Sequence, residues 1–180
     1  RKMDFVKNEP NVTLFLGYRA NEVSMEGRRI TGIVAQQVES GERVAFRAPV
    51  YADCTGDGAV GYLAGADYLM GRESRAQFGE LEAPEVQDSM TMGASVQWYS
   101  VEDSEEAKFP RFEYGLKFND GSCERVIRGQ WTWETGMFRN QVDDFERIRD
   151  YGLLAVYSNW SYLKNDLKEN GEFRDRRLEW

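Results

Sequence analysis

Histidine is absent from this sequence of 180 residues, and cysteine and proline are scarce, with two and four residues respectively. Without histidine, the chain cannot use Ser-His-Asp or Cys-His catalysis, an imidazole proton shuttle, or any metal site that contains histidine. Two cysteines, Cys54 and Cys123, are too few for a cysteine-rich zinc site or a disulfide framework. No stretch approaches the roughly 20 apolar residues that span a bilayer. We therefore predict no metal site, and several large classes of hydrolase are excluded.

Acidic residues outnumber basic ones, and the formal net charge is −8. Such a surface repels phosphate backbones and anionic lipid, so we expect no nucleic-acid partner and no membrane partner. The chain begins with Arg1-Lys2-Met3 and stops at Trp180 within a pattern that looks ready to continue. These ends predict an internal piece of a longer protein. For such a piece we expect an exposed apolar patch, which self-association could cover.

The first part of the chain has the pattern of a three-stranded antiparallel meander. The third predicted strand leads into a glycine-rich stretch, and a helix is predicted to follow because small and apolar residues recur at helical spacing. The predicted elements are strands over 12–16, 30–38 and 44–52, a turn at Glu26-Gly27, and a helix from Ala59 to about Leu69.

The second part begins near residue 85 and carries most of the excess negative charge. Its alternating and helical patterns predict strands followed by one long helix, or two with a break at Gly152. The predicted elements are strands over 90–99, 114–118 and 126–134 and a helix over 141–169. The chain is therefore predicted to be of the α+β class, with one part over 1–84 and another over 85–180.

A glycine motif stands between the third predicted strand and the helix that follows it. Gly56, Gly58 and Gly61 match G-x-G-x-x-G, in which glycines allow a tight turn and a close approach of pyrophosphate. Two features oppose a first Rossmann fingerprint, because the motif follows a meander and Asp57 would face the phosphates. A carboxylate there is better suited to accept hydrogen bonds from sugar or ribityl hydroxyls. The alternative is a glycine-rich turn in which Asp57 only caps the helix.

The run from Tyr51 to Ala66, YADCTGDGAVGYLAGA, resembles the DxTGDGdxaxxAGA segment of a family of bacterial FAD-dependent oxidoreductases. The stretch MGRESRAQFGE over 70–80 continues the likeness, and Ala83-Pro84 follows it. Residues 131–136 and the predicted helix from Asp144 to Trp160 resemble a later part of the same family. The resemblance implies a glutathione-reductase-like FAD fold.

In that family the Thr-Gly-Asp-Gly segment is the second contact with the flavin. The resemblance therefore implies that Thr55, Gly56, Asp57 and Gly58 bind FAD. It also implies that 1–84 is part of an FAD-binding domain and that 85–180 is part of a substrate or capping domain. The family's first fingerprint lies upstream and a further flavin contact lies downstream. We accordingly expect FAD in the full-length parent, and weak or no FAD binding and no activity in the isolated piece.

Weaker candidates for contact with an unknown small-molecule substrate follow the glycine motif. Arg72 could reach a cofactor or substrate from the loop after the helix, or belong to a solvated charge cluster. Trp131 and Trp133 share one face of a predicted strand beside Glu134, and such a pair can stack a ring or pack in a core. The competing function is a noncatalytic binding module, directed at carbohydrate, with the tryptophan face as its platform.

Overall fold

The computed structural model describes residues 2–103, 105–128, 134–169 and 171–179. The chain divides into two compact units, Arg1–Leu69 and Met70–Trp180. This division falls before the compositional boundary near Pro84. Both units combine helices with small antiparallel sheets, which is compatible with the predicted α+β class. Within the described ranges, no helix is long and apolar enough to cross a membrane.

The first unit contains the predicted antiparallel meander. Its strands are hydrogen-bonded in the order β1-β2-β3, and both pairs are antiparallel. Gly27 sits in the turn between the first two strands at a φ of +58°, a left-handed conformation that glycine adopts without steric cost. The elements of this unit are α1 (Lys2–Lys7), β1 (Tyr18–Glu26), β2 (Arg29–Gln37), β3 (Arg43–Phe46) and α2 (Ala59–Leu63).

The strand predicted over 12–16 is wrong, because β1 begins only at Tyr18. From this apolar run the ring of Phe15 packs against the sheet. The ring of Phe15 lies edge-on to Phe46, with centroids 4.7 Å apart, and to Tyr18 at 6.0 Å. The composition of such an apolar run is the same whether its backbone pairs with the sheet or only its side chains pack on the sheet, so composition alone cannot distinguish the two.

Two elements of the first unit are shorter than predicted. The third strand ends at Phe46 instead of continuing to residue 52, and Pro49 lies in the missing part, where it has no N–H to donate to a ladder. The helix that begins at Ala59 ends at Leu63 instead of Leu69. Gly65 follows with a φ of +73°, and such a left-handed glycine is typical of a helix end.

The second unit is organised around one long helix, as predicted. The helix is four residues shorter than predicted at each end, and it runs without a break through Gly152. Its apolar side packs in a core in which the ring of Trp160 meets Trp98 and Phe173 edge-on. The elements are α3 (Arg75–Phe78), β4 (Tyr99–Glu102), α4 (Phe145–Asn165) and β5 (Arg176–Glu179). The buried core cluster consists of Trp98, Val156, Trp160, Leu163, Leu167 and Phe173.

The strands of this unit were largely mispredicted. Of the stretch 90–99, only Tyr99 enters a strand, and the partner of that strand is β5, which the pattern does not predict. Ala94 forms one isolated bridge with Thr135. Residues 114–118 form no strand, and of 126–134 the part over 129–133 lies outside the described residues.

The backbone over 109–124 is held by polar side chains of α4 instead of by a sheet. Ser158 Oγ accepts the N–H of Leu116 at 2.9 Å. The amide of Asn159 accepts the N–H of Glu124 and donates to its carbonyl, both at 2.9 Å. These bonds satisfy the polar groups that a ladder would otherwise pair, so the segment needs no strand partner.

Candidate functional site

The glycine motif forms a turn that is fixed by Asp53. One carboxylate oxygen of Asp53 accepts hydrogen bonds from the backbone N–H of Thr55 at 3.0 Å and from its hydroxyl at 2.7 Å. The other oxygen accepts the N–H of Gly61 at 2.9 Å. The hydroxyl oxygen of Thr55 in turn accepts the N–H of Ala59 at 2.8 Å. The side chains of Asp53 and Thr55 thus connect the start of the turn to its end by hydrogen bonds.

The electrostatics of Asp53 follow from these donors. The N–H of Gly61 and then the hydroxyl and N–H of Thr55 stabilise the carboxylate and lower the pKa of Asp53 below its usual range. At neutral pH Asp53 is therefore ionised and accepts all three hydrogen bonds. Its negative charge is directed at the inside of the turn.

Gly56 and Gly58 both have left-handed backbone, with φ of +92° and +65°. A Cβ built on either glycine would meet no other atom within 4 Å. Neither glycine is therefore required by packing within the unit. Their conformation and the open space beside them expose the backbone of the turn.

Asp57 lies exposed between these two glycines. It does not cap α2, because the N-cap position of that helix is Gly58, which has no side-chain oxygen. The N–H groups of Ala59 and Gly61 are bound by Thr55 and Asp53 instead. Within the described ranges no hydrogen-bond donor contacts the Asp57 carboxylate, so the capping alternative is wrong for this residue.

Cys54, which the sequence places beside the motif, has an exposed thiol rather than a buried one. The side chain lies on the strand-to-turn connection, one residue after Asp53. No disulfide includes it. Among the residues that the structure describes, no group of histidine, cysteine, aspartate and glutamate side chains could hold a metal ion.

Arg72 lies in the second unit and is bound to Asp88. Its Nε donates to one carboxylate oxygen at 3.1 Å, and a terminal nitrogen donates to the other. The two residues also exchange backbone hydrogen bonds at 3.0 and 3.1 Å. A Cβ at Gly71 would lie 2.2 Å from the carbonyl oxygen of Asp88, so only glycine allows this approach. The pair positions Arg72, and contact with a substrate stays a prediction.

Glu134 lies in the second unit and lines a pocket there of about 340 Å³. Trp131 and Trp133, the aromatic pair predicted to accompany it, lie outside the described residues. Their roles and that of Glu134 in substrate binding stay predictions. The four residues predicted to contact flavin, by contrast, are consecutive members of one turn in the first unit.

One protein family matches nearly the whole chain. The model of a family described as FAD dependent oxidoreductase matches residues 3–173. The chain belongs to the FAD dependent oxidoreductase family. Neither the curated proteins nor the solved structures contain a match to it.

Membership of this family confirms the FAD-dependent oxidoreductase family predicted from the stretch over 51–66, whereas the bacterial origin and the glutathione-reductase-like fold stay predictions. It supports oxidoreductase chemistry with FAD as the cofactor of the family. The family match does not favour the noncatalytic, carbohydrate-directed module.

Sequence reasoning missed Asp53, although it identified its neighbours. An aspartate that accepts the N–H two residues later is a common local turn pattern, and the pair Asp53 and Thr55 carries that signal. The bond to Gly61 spans eight residues and becomes evident only when the turn is closed. Asp88 was missed for the same reason, since it pairs with Arg72 across 16 residues.

Proposed function

We propose that the turn over 53–61 is a flavin-contacting segment of an FAD-dependent oxidoreductase, and that residues 85–180 supply part of its substrate domain. The observation that carries this proposal is the open, left-handed backbone of Gly56 and Gly58 on either side of the exposed Asp57 carboxylate. The family match supports the cofactor. The full-length protein is the unit in which this function operates.

The hydrogen bonds within the turn leave a specific set of donors for a ligand. Asp53 and Thr55 take up the N–H groups of Thr55, Ala59 and Gly61. Within the described ranges, no acceptor binds the N–H groups at positions 56, 57 and 58. Successive N–H groups in turn backbone that includes left-handed residues form a concave site for anionic or polar oxygens. Diphosphate and ribityl oxygens of FAD are acceptors of this kind.

Asp57 complements these donors with an acceptor. Its carboxylate can take hydrogen bonds from ribityl or ribose hydroxyls, while the two glycines keep side chains away from the cofactor. When bound, FAD supplies an isoalloxazine ring that accepts hydride or electrons. The residues of the turn bind and orient it.

The test compares Asp57→Asn and Asp57→Ala in the full-length protein, with Asp67→Asn as a matched control at another exposed aspartate of the first unit. The melting temperature without FAD and the affinity for FAD are measured separately. We expect Asp57→Ala to weaken FAD binding by roughly ten- to a hundredfold, which corresponds to one charge-assisted hydrogen bond. The melting temperature should stay unchanged. A lower melting temperature with unaltered FAD affinity would show that Asp57 has only a structural role.

A further inference from the structure

The second unit contains a pocket of about 340 Å³, which is at the small end of the range for ligand sites. One wall is α4, and another is the coil held by the polar side chains of that helix. Half of the described residues that line it have apolar side chains, namely Val96, Leu116, Phe118, Ala155 and Val156. All of these residues belong to the same compact unit.

A glycine of α4 determines the shape of the pocket. Gly152 is buried in the middle of the helix, where glycine is a poor helix former. A Cβ at this position would lie 2.6 Å from Cγ2 of Val96 and 3.6 Å from Oγ1 of Thr135. The glycine therefore lets the pocket wall approach the helix closely. Gly152 itself and Thr135 line the pocket.

Among the described residues that line this pocket, Glu134 alone is charged. Within the described ranges, no cation and no hydrogen-bond donor contacts its carboxylate. Its Oε2 lies 3.1 Å from the position that a Cβ at Gly93 would occupy, so Gly93 leaves room for the side chain. Glu134 is half-buried, and the apolar side chains beside it strengthen the attraction of its carboxylate for a cation relative to bulk water.

Two other polar side chains of the lining, Thr135 and Ser122, already form hydrogen bonds within the unit. The hydroxyl of Thr135 reaches the carbonyls of Ala94 and Ile148 at 3.4 and 3.3 Å. Ser122 Oγ accepts the N–H of Asn119 at 3.0 Å. A sugar needs several free donors and acceptors, whereas a cation with an apolar body needs one carboxylate and an apolar wall.

We infer that this pocket binds a small organic molecule with an apolar body and a protonated amine, which pairs with Glu134. The apolar body lies against Val96, Leu116 and Val156. The aromatic side chains of Phe118 and Tyr151 line the same pocket and add attraction for a cation. This inference is independent of the proposed flavin contact, because binding at the pocket requires no FAD.

The experiment compares two probes of matched shape, 2-phenylethylamine and 2-phenylethanol, by isothermal titration calorimetry at neutral pH on the purified full-length protein. We expect the amine to bind at least tenfold more tightly than the alcohol. Glu134→Gln should remove this preference and leave the affinity for the alcohol unchanged. Glu146→Gln, at an exposed glutamate of α4 outside the pocket, is the matched control and should preserve the preference.

A second variant fills the pocket instead of changing its charge. Ala155→Met should weaken the binding of both probes by tenfold or more. If Glu134→Gln does not fold, this variant still tests whether the probes bind in the pocket. Equal binding of the two probes, an amine preference that persists in Glu134→Gln, or unchanged binding in Ala155→Met would each overturn the inference. Binding of glucose without binding of the amine would do the same and would indicate a carbohydrate site. If the pocket does not bind the amine, the proposed flavin contact is unaffected, because the FAD affinity of the Asp57 variants tests it separately.

Discussion

The carboxylate of Asp53 accepts the backbone N–H of Gly61 at 2.9 Å, eight residues later in the chain. This bond joins the segment that follows β3 to α2. It closes the turn around Thr55, Gly56 and Asp57. The conformation of the proposed flavin contact thus depends on a residue that lies outside the Thr-Gly-Asp-Gly segment.

We predict that Asp53→Asn lowers both the stability of the first unit and the affinity for FAD. Asparagine has one acceptor oxygen and no charge, so it cannot accept the N–H groups of Thr55 and Gly61 together in the same geometry. Loss of one such bond at an exposed site costs about 1 kcal/mol, or a few degrees in melting temperature. Circular dichroism without FAD measures the stability. An Asp53→Asn variant that melts with the wild type would contradict this account.

The stability contributed by Asp53 should also depend on pH. The donors from Gly61 and Thr55 lower its pKa in the folded protein, so its contribution is complete above the ordinary aspartate pKa of about 4. It is lost as the pH falls through the lower folded value. Denaturant unfolding of wild type and Asp53→Asn between pH 7 and 3 should show their difference shrinking below about pH 4. A constant difference would mean that the charge of Asp53 is not involved.

Gly56→Ala should separate backbone strain from cofactor contact. A left-handed conformation costs a residue with a Cβ about 1–2 kcal/mol, and no atom of the unit lies within 4 Å of the added carbon. Gly27→Ala is the matched control, because Gly27 is also left-handed and open but lies in the β1–β2 turn. Both variants should lose similar stability without FAD, and only Gly56→Ala should also lose FAD affinity. Equal FAD affinity in the two variants would argue against a flavin contact at Gly56.

Lys164→Met should destabilise the second unit. The ammonium of Lys164 donates to the carbonyls of Phe173, Arg174 and Arg176 at 2.7, 2.7 and 2.8 Å, and so connects α4 to the start of β5. Methionine keeps the length of the side chain but removes all three hydrogen bonds from the ammonium, at a cost of about 2 kcal/mol. Lys168→Met, at an exposed lysine, is the control. Equal melting temperatures of the two variants would refute this role for Lys164.

The elements that the sequence predicts correctly are those whose signal is local and periodic. β2 differs from its predicted span by one residue at each end, because its alternation and its flanking turns lie within a dozen residues. The apolar period of α4 extends over 21 residues and predicts a helix, although the sequence left open a break at Gly152.

The errors in the second unit concern backbone whose partners lie far away in the chain. The N–H of Leu116 is bound by a serine 42 residues later, so the alternation over 114–118 could not distinguish a strand from a supported coil. β5 pairs with a strand more than 70 residues earlier. At the candidate site, the sequence reveals the glycines as a motif. It does not reveal the role of Asp53, because that role depends on the distance from its carboxylate to Gly61 in the folded turn.

The support that α4 gives to residues 109–124 has a consequence for protein engineering. Ser158, Asn159 and Ser161 hold main-chain atoms of that coil rather than its side chains. Residues of α4 therefore determine the backbone path of the coil. Exposed side chains of the coil, such as Glu113 and Tyr114, can be replaced by residues that carry dyes or affinity tags without altering this path. A single change at Asn159, by contrast, would release main-chain groups of the coil.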